Sequence, residues 1–298
     1  MHSWRSTLDA AGISGAPIRA DFTAAARLVL RRESAPYLAL RLLAAPHLQP
    51  WLAAGLAFMN RVDDIAETGT TRTRLDGLRR LGEQVESALA GGRGGDPVLR
   101  AYAHAVHERA LPDTWVKRFL EGAATAEAVF AGFGTEADFQ AYVDAYAWPA
   151  FVSFTGLQYP GGPDEAQAAA LRRLVDAAQR VDFLADLAGD LAAGRLCLPR
   201  ERLDEHHVTR DDLEQGEDTP AVRALLAAET RRARAALDAA ADVVDLADPG
   251  LRRVLVTMTD LMGHQLTAVE RAGVRALRRD VGYGAVAPLR ILARAARR

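Results

Sequence analysis

The chain has 298 residues, of which 49% are hydrophobic and only 6% aromatic, and its 39 acidic and 37 basic residues leave a net charge of -2. This near-balance excludes a strongly basic nucleic-acid-binding surface, so no nucleic-acid partner is expected. The single cysteine, Cys197, excludes a disulfide framework and a cysteine zinc cluster, which favours a reducing, cytoplasmic location. Neither a signal-peptide pattern nor an uncharged apolar stretch of transmembrane length occurs, so a soluble protein without a transmembrane segment is expected.

Helix-forming residues dominate the chain and predict an all-α fold. Residues 1–20 show little periodicity and are expected to form a loosely ordered arm, followed by a single domain over 21–298. Prolines such as Pro50 and Pro97 suit the first turn of a helix. The apolar periodicity predicts helices over 21–32, 36–45, 50–67, 72–90, 97–109, 113–132, 136–146, 149–158, 164–193, 219–245, 249–276 and 284–297.

The first feature that points to chemistry is an acidic cluster at the end of the helix predicted over 50–67. Asp63, Asp64 and Glu67 follow apolar residues of helical period, and Gly69 then ends the helix. Asp63 and Glu67 are four residues apart, so their carboxylates share one helix face and repel each other. An ordinary solvated face is the alternative explanation for one such pair.

A second acidic cluster lies about 120 residues later, inside a long predicted helix. Asp182, Asp186 and Asp190 recur every four residues beside apolar neighbours, so they form one stripe. Two such clusters in apolar helices are hard to explain as solvated surface. They are typical of a site for Mg²⁺, which takes one or two carboxylates per ion and completes its shell with water and phosphate oxygens. The pattern therefore predicts a magnesium-diphosphate site between two acidic helices.

Both clusters lie in stretches that resemble the squalene/phytoene synthase family of all-α isoprenoid synthases. Residues 57–67, together with 37–41 upstream, are similar to the family's first aspartate-rich region. Residues 179–199 are similar to its second, including the Gly-Arg-x-x-Leu-Pro sequence at 194–199. The resemblance implies a single-domain helical bundle around a deep apolar cavity. The mouth of that cavity is expected to bind two or three Mg²⁺ ions and a prenyl diphosphate.

The resemblance also implies roles for individual residues. Asp63, Glu67, Asp186 and Asp190 are the expected catalytic residues, because the metal ions that they hold promote departure of the diphosphate. The same four residues, with Asp64 and Asp182, are the expected metal ligands. Substrate contacts are expected from Arg41, Asn60, Phe133, Trp148, Phe151, Gln179 and His264. For the aromatic residues among these, simple core packing is the alternative.

Several positions depart from the family's pattern. Two arginines that help to hold diphosphate are replaced by Asn60 and Ala185, and a tyrosine is replaced by Phe133. Two glycines of a cavity-lining helix are replaced by Trp148 and Phe151, which are expected to shorten or reshape the cavity. The other exchanges are Asp182 for an asparagine, Ala126-Glu127 for a Met-Asp pair, and Cys197 for a tyrosine.

These losses favour an enzyme that keeps one prenyl diphosphate and takes a different second substrate. The hypothesis is alkylation of an aromatic small-molecule acceptor, such as a carbazole, by a short prenyl group such as dimethylallyl, in natural-product biosynthesis. His264, Arg41 and Glu127 are candidates to orient the acceptor or take its proton. Three alternatives stay open: head-to-head condensation of two prenyl diphosphates, with Arg61 or a remote arginine replacing the missing pair, a terpene cyclase, and a non-catalytic interaction protein.

The helix predicted over 284–297 carries arginines between apolar residues. It is expected either to make a weak peripheral contact with an anionic lipid surface or, as the plainer interpretation, to present a basic outer face. The sequence does not distinguish a monomer from a homodimer.

Overall fold

The computed structural model describes residues 2–92 and 95–282 and confirms the all-α fold. Within these ranges the only extended pairing is an isolated bridge between Gly132 and Leu196. The α-helices of the described residues are α1 Trp4–Ala10, α2 Ala16–Arg32, α3 Ser34–Leu43, α4 Gln49–Glu67, α5 Thr71–Leu89, α6 Pro97–Glu108, α7 Asp113–Gly122, α8 Glu136–Tyr142, α9 Trp148–Thr155, α10 Glu165–Ala185, α11 Leu187–Ala192, α12 Arg200–Glu205, α13 Arg210–Glu214, α14 Pro220–Ala239, α15 Val243–Leu246 and α16 Arg252–Ala272. Two π-helical segments, π1 Ala123–Glu127 and π2 Val143–Ala147, and two 3-10 turns, Gly156–Gln158 and Gly273–Leu277, complete the bundle.

Local side-chain contacts explain where the helices begin. Asp164 accepts the N–H of Gln167, whose side chain accepts the Asp164 N–H in return, so a capping box starts α10. Asp96 accepts the N–H of Val98, and Pro97 fills the first position of α6. Both helices therefore begin at or next to their predicted first residues.

The packing of the helices places the two acidic motifs at neighbouring helix ends. α4 packs against α2, α5, α6 and α9, and its residues 49–58 are all buried. α10 packs against α14 and α16. Because α9 contacts both α4 and α10, it joins the two groups of helices.

The expectation of a loosely ordered arm over residues 1–20 is wrong. Ser3 caps α1 by accepting the N–H of Ser6, and Leu8 of this helix is 3% exposed. Burial of Leu8 stabilises a helix that is marginal on its own. Seven residues are too few to show a periodic pattern, which explains why the sequence did not predict α1.

Two features bear on the membrane. No helix in the described part of the chain combines the length and the apolarity needed to cross a bilayer. The helix predicted over 284–297, with its proposed lipid contact, lies outside the described residues.

The π segments interrupt two of the predicted helices. π1 continues α7 and π2 continues α8, whereas the sequence predicted unbroken helices over 113–132 and 136–146. Gly122, at the end of α7, lies directly against π2, since a Cβ at this position would be 1.9 Å from the carbonyl oxygen of Ala145. This glycine therefore permits the close approach of the two elements.

Gly122→Ala is expected to lower the free energy of unfolding by about 1 to 3 kcal/mol, because the added methyl group must displace a backbone segment. Gly82→Ala on α5 is the matched control, since a Cβ there meets no atom within 4 Å. That change is expected to be neutral or to stabilise by up to about 1 kcal/mol, because alanine is the better helix former. Denaturant unfolding measures both, and equal effects would contradict the close packing at Gly122.

Candidate active site

The first acidic motif lies in the last turn of α4. Asp63 is half-buried, and its Oδ1 accepts a hydrogen bond from the Tyr146 hydroxyl at 2.6 Å. Burial raises the pKa of Asp63 to about 7, although the Tyr146 hydrogen bond opposes that rise, and the charge of Glu67 adds to it. Burial and the charge of Glu127 also raise the pKa of Glu67. Asp63 and Glu67 are therefore neighbouring carboxylates whose negative charge is poorly compensated.

Asp64 lies apart from this pair. It forms an ion pair with Arg32 of α2, as expected for a residue turned about 100° around the helix from Asp63. Arg61 also points elsewhere, because its Nη2 is 3.1 Å from Asp96 Oδ2 at the start of α6. Of the three acidic residues predicted at this motif, Asp63 and Glu67 are thus brought together and Asp64 is paired with α2.

The second acidic motif spans a break between α10 and α11. The prediction of one continuous helix is wrong at Asp186, which has φ -100° and ψ 13°. Here the Ala185 carbonyl accepts the N–H of Val281 at 2.7 Å. The N–H of Gly189, which would bond to that carbonyl in a continuous helix, donates to Asp280 Oδ1 at 2.8 Å. Residues from beyond α16 therefore stabilise the break.

Backbone hydrogen bonds nevertheless keep the three aspartates in one stripe. The N–H of Asp186 donates to the Asp182 carbonyl at 2.8 Å, and the N–H of Asp190 donates to the Asp186 carbonyl at 2.9 Å. Burial, followed by the charges of Asp186 and Asp190, raises the pKa of Asp182 to about 7. Asp182 is surrounded by protein atoms, yet its side chain is exposed to solvent. Burial also raises the pKa of Asp186 and Asp190.

Glu127, at the end of π1, lies between the two motifs. It is 2% exposed, and its carboxylate accepts the Tyr142 hydroxyl at 2.6 Å and Nη1 of Arg195 at 2.9 Å. Arg195 Nε is 3.5 Å from Asp190 Oδ1, which connects Glu127 to the second motif. The charge of Glu127 raises the pKa of Asp63, so Glu127 also lies close to the first motif.

Aromatic rings form an apolar wall beside Glu127. The rings of Phe130, Phe133 and Tyr142 pack against one another with centroids 4.7, 5.3 and 5.5 Å apart. The guanidinium of Arg195 lies over the Phe130 ring, 4.8 Å from its centroid. Phe133, predicted to contact substrate, is thus a member of a packed cluster next to the charged groups.

The two large residues predicted to reshape the cavity lie on α9. Trp148 is buried and meets the Trp115 ring edge to face at 5.5 Å. Phe151 is half-buried, with its ring 6.3 Å from that of Phe154. A Cβ on Gly55 would lie 3.0 Å from the Phe154 Cα, so α9 approaches α4 closely. Large side chains therefore fill the volume around α9.

Arg41, predicted to bind substrate, is buried against the N-terminal segment. Its Nη2 donates to the His2 carbonyl at 2.5 Å, and its guanidinium lies 5.2 Å from the centroid of a Trp4 ring. These contacts hold the N-terminal helix on the bundle. Because α1 was not predicted, the sequence offered no partner for this arginine.

The other predicted substrate contacts differ in their accessibility. Asn60 is 1% exposed, and its Nδ2 has no hydrogen-bond partner among the described residues. Gln179 is half-buried on α10, close to one turn before Asp182. His264 is exposed on α16, as is common for a surface histidine. Asn60 and Gln179 therefore lie on the helices that carry the acidic motifs.

Sequence reasoning missed several residues of the site. Tyr142 and Tyr146 are four residues apart in a predicted helix, and this spacing was a signal that their hydroxyls share a face. Arg32 and Asp280 had no such signal, because their roles depend on contacts with distant parts of the chain.

The donor groups fit magnesium. In residues 2–92 and 95–282, no three histidine, cysteine or acidic side chains converge closely enough to enclose a metal ion. Mg²⁺ does not require such a cage, since it binds through one or two carboxylates together with substrate phosphates and water. The raised pKa values in both motifs mean that the charged carboxylates are disfavoured without a counterion, and a cation would stabilise them.

The family model described as squalene/phytoene synthase matches residues 30–284. The chain belongs to the squalene/phytoene synthase family. Members of this family are prenyltransferases that use prenyl diphosphates and generally depend on a metal ion. The aromatic-acceptor branch of the family stays a prediction.

Two curated relatives in the squalene/phytoene synthase family cover part of the chain. It is 27% identical over 218 residues to the bifunctional protein CrtB/UppS of Streptomyces coelicolor, a match over 73% of this chain and 38% of that protein. It is 30% identical over 149 residues to the phytoene synthase of Rhodobacter capsulatus, over 49% of this chain and 42% of that protein. The chain thus spans about two fifths of the length of the curated relatives it matches.

Solved structures confirm the isoprenoid-synthase bundle. The crystal structure of squalene synthase HpnC from Alicyclobacillus acidocaldarius has a TM-score of 0.79 at 27% identity, covering 89% of this chain and 98% of that chain. The crystal structure of a dehydrosqualene synthase in complex with ligand has a TM-score of 0.80 at 20% identity, covering 93% and 96%. The second likeness concerns the fold alone.

Proposed function

We propose that this squalene/phytoene synthase family member ionises an allylic prenyl diphosphate with Mg²⁺ and joins the carbocation to a second prenyl diphosphate. The observation that carries the proposal is the proximity of two carboxylate motifs, from α4 and from α10 and α11, whose negative charge is only partly compensated and which lie beside an aromatic wall. Negative charge that develops on the leaving diphosphate needs cations nearby. The carbocation needs apolar surroundings that exclude water. The acidic motifs would hold the cations, and the neighbouring aromatic wall would exclude water.

Four carboxylates are the groups that would hold Mg²⁺: Asp63, Glu67, Asp186 and Asp190. Bound metal would supply Lewis-acid stabilisation of the departing diphosphate. Arg195 keeps Asp190 and Glu127 in place through its two ion pairs. The rings of Phe130 and Phe133 exclude water, and their faces favour positive charge nearby.

Two guanidinium groups support a prenyl diphosphate as the second substrate. The family resemblance implies arginines where this chain has Asn60 and Ala185. Arg32 and Arg195 approach from other elements, and the charge of each lowers the pKa of Glu67. Their position beside the acidic motifs supports a compensating role in diphosphate binding. The names of the relatives, a phytoene synthase and a squalene synthase, favour the same choice.

An aromatic small-molecule acceptor such as a carbazole is the second candidate. Asn60 and Ala185 are buried and uncharged, so the positions nearest the motifs offer no guanidinium to a second diphosphate. Trp148 and Phe151 fill volume around α9 and leave less room for a second long chain. A short donor, dimethylallyl diphosphate, suits this arrangement.

Product analysis by mass spectrometry distinguishes the candidates. The protein is incubated with Mg²⁺ and either farnesyl or geranylgeranyl diphosphate alone, and separately with dimethylallyl diphosphate and a carbazole, with EDTA as the control. The proposed condensation gives a product with twice the carbon number of the long-chain donor. A prenylated carbazole, without product from the long-chain donors, would establish the second candidate instead. A cyclic hydrocarbon from one diphosphate would overturn both in favour of a terpene cyclase.

A cytoplasmic location is part of the same proposal. Cys197 is a buried free thiol, as expected in a reducing compartment, and its Sγ donates to Asp190 Oδ2 at 3.0 Å. Burial and the charge of Asp190 raise the pKa of this thiol, so it stays protonated.

Light scattering after size-exclusion chromatography distinguishes the monomer from the homodimer.

A further inference from the structure

A phenol that the family motifs do not include contacts the first acidic motif. Tyr146 is 8% exposed, and its hydroxyl donates to Asp63 Oδ1 at 2.6 Å. Its ring lies between those of Phe119 and Tyr142, with both centroids 5.7 Å away. Aromatic packing on two sides therefore fixes the direction in which the hydroxyl points.

The backbone adds to this constraint. Tyr146 belongs to π2, and the wider π turn changes the direction of its side chain relative to a continuous α-helix. Gly122 of α7 presses against the preceding residue, because a Cβ on that glycine would be 1.9 Å from the Ala145 carbonyl oxygen. The segment that carries the phenol is thus packed closely against α7.

The hydrogen bond engages one oxygen of the Asp63 carboxylate. Oδ1 accepts the Tyr146 hydroxyl, and a bond from a phenol to a carboxylate in a half-buried place is a strong one. Among the hydrogen bonds of the described residues, none involves Oδ2, so that oxygen is available to a metal ion. Glu67 lies on the same helix face one turn later.

We propose that Tyr146 is a positioning residue that orients the Asp63 carboxylate for Mg²⁺. By holding Oδ1, the phenol leaves Oδ2 as the oxygen that would be available to a metal ion, with the Glu67 carboxylate on the same helix face. Hydrogen-bond partners of metal ligands commonly act in this way, and their loss costs roughly 10- to 100-fold in metal affinity or activity. This role rests on the proposed function in one respect, the binding of Mg²⁺ by Asp63, and it is independent of the acceptor.

Tyr146→Phe tests the role, because it keeps the ring and removes only the hydroxyl. Calorimetry measures the Mg²⁺ concentration required for binding of farnesyl thiodiphosphate, a donor analogue that does not ionise readily. The Mg²⁺ requirement is expected to rise roughly 10-fold or more. The Mg²⁺ concentration for half-maximal turnover is expected to rise in parallel, while kcat at saturating Mg²⁺ falls by a smaller factor.

Tyr102→Phe is the matched control. The Tyr102 hydroxyl donates to the Ser153 carbonyl at 3.0 Å inside the core, so its loss removes a buried phenol without touching a carboxylate. This variant is expected to lower Tm and to leave the Mg²⁺ requirement unchanged. A second control places Tyr146→Phe in an Asp63→Asn background. There the effect of the phenol on the Mg²⁺ requirement is expected to disappear, because the carboxylate that it orients has been replaced by an amide.

The outcomes separate the positioning role from the proposed function. An unchanged Mg²⁺ requirement in Tyr146→Phe, with Mg²⁺-dependent binding in the wild type, would overturn the positioning role alone. The same shift in the Asp63→Asn background would also overturn it, since Tyr146 would then act elsewhere. If the wild type bound the thiodiphosphate equally well in EDTA, both the metal site and the role of Tyr146 would be wrong.

Discussion

Asp63→Asn and Asp186→Asn are each expected to lower kcat/KM by about 100-fold to 1,000-fold, with Tm changed little. Asparagine has nearly the shape of aspartate but lacks the charge that binds a divalent cation. Under the proposed function, the lost activity reflects weaker stabilisation of the leaving diphosphate. Steady-state kinetics with the donor identified by product analysis, and thermal unfolding of each variant, are the measurements.

The expectation for Tm follows from the electrostatics of the two motifs. Burial and nearby carboxylates raise the pKa of both residues, so their charged forms are unfavourable in the metal-free fold. A neutral amide removes that repulsion and is therefore tolerated. Asp260→Asn, at an exposed position on α16, is the control for a change from aspartate to asparagine. Full activity in Asp63→Asn or Asp186→Asn would show that ionisation occurs at another site.

The sequence predicted the helix of the first motif well. α4 was expected over 50–67 and is observed at Gln49–Glu67, because Pro50, the apolar period and Gly69 are all local signals. The common face of Asp63 and Glu67 follows from helix geometry alone. The family resemblance, which the comparisons confirm, supplied the fold and the reaction class.

The break in the second acidic helix and the partner of Asp64 depend on contacts that no local sequence pattern encodes. The helix predicted over 164–193 breaks at Asp186, where its partners, Asp280 and Val281, come from more than ninety residues later. Asp64 likewise pairs with Arg32 of α2, a contact between residues that are distant in the sequence. The π turns were equally hidden, since the residues that form them have ordinary helical composition.

The second large effect is expected in the pH dependence of the metal-free protein, whose Tm should fall between about pH 5 and about pH 8. Asp63 and Asp182 have a pKa of about 7 in the folded state and about 3.8 as the ordinary value. Within this window the folded protein retains protons that the unfolded chain has released. Stability therefore decreases as pH rises, and the contribution is lost once pH passes the folded-state pKa.

Mg²⁺ should reverse this trend, because it binds the deprotonated carboxylates and the folded state only. The rise in Tm on adding Mg²⁺ is therefore expected to be larger at about pH 8 than at about pH 5. Differential scanning calorimetry in EDTA and in Mg²⁺, across the same pH range, measures both effects.

Asp182→Asn separates this effect from other titrating groups. Burial lowers the pKa of His104, so this residue makes the protein more stable as pH rises through the same range. The pH dependence of the wild-type Tm therefore combines the opposing effects of the carboxyls and the histidine. The variant keeps His104 and loses one of the two carboxyls, and its Tm in EDTA should fall less steeply with pH. If its slope equals that of the wild type, Asp182 does not retain its proton in this pH range. A Tm that rises with pH in both proteins would contradict the charge accumulation on which the metal site depends.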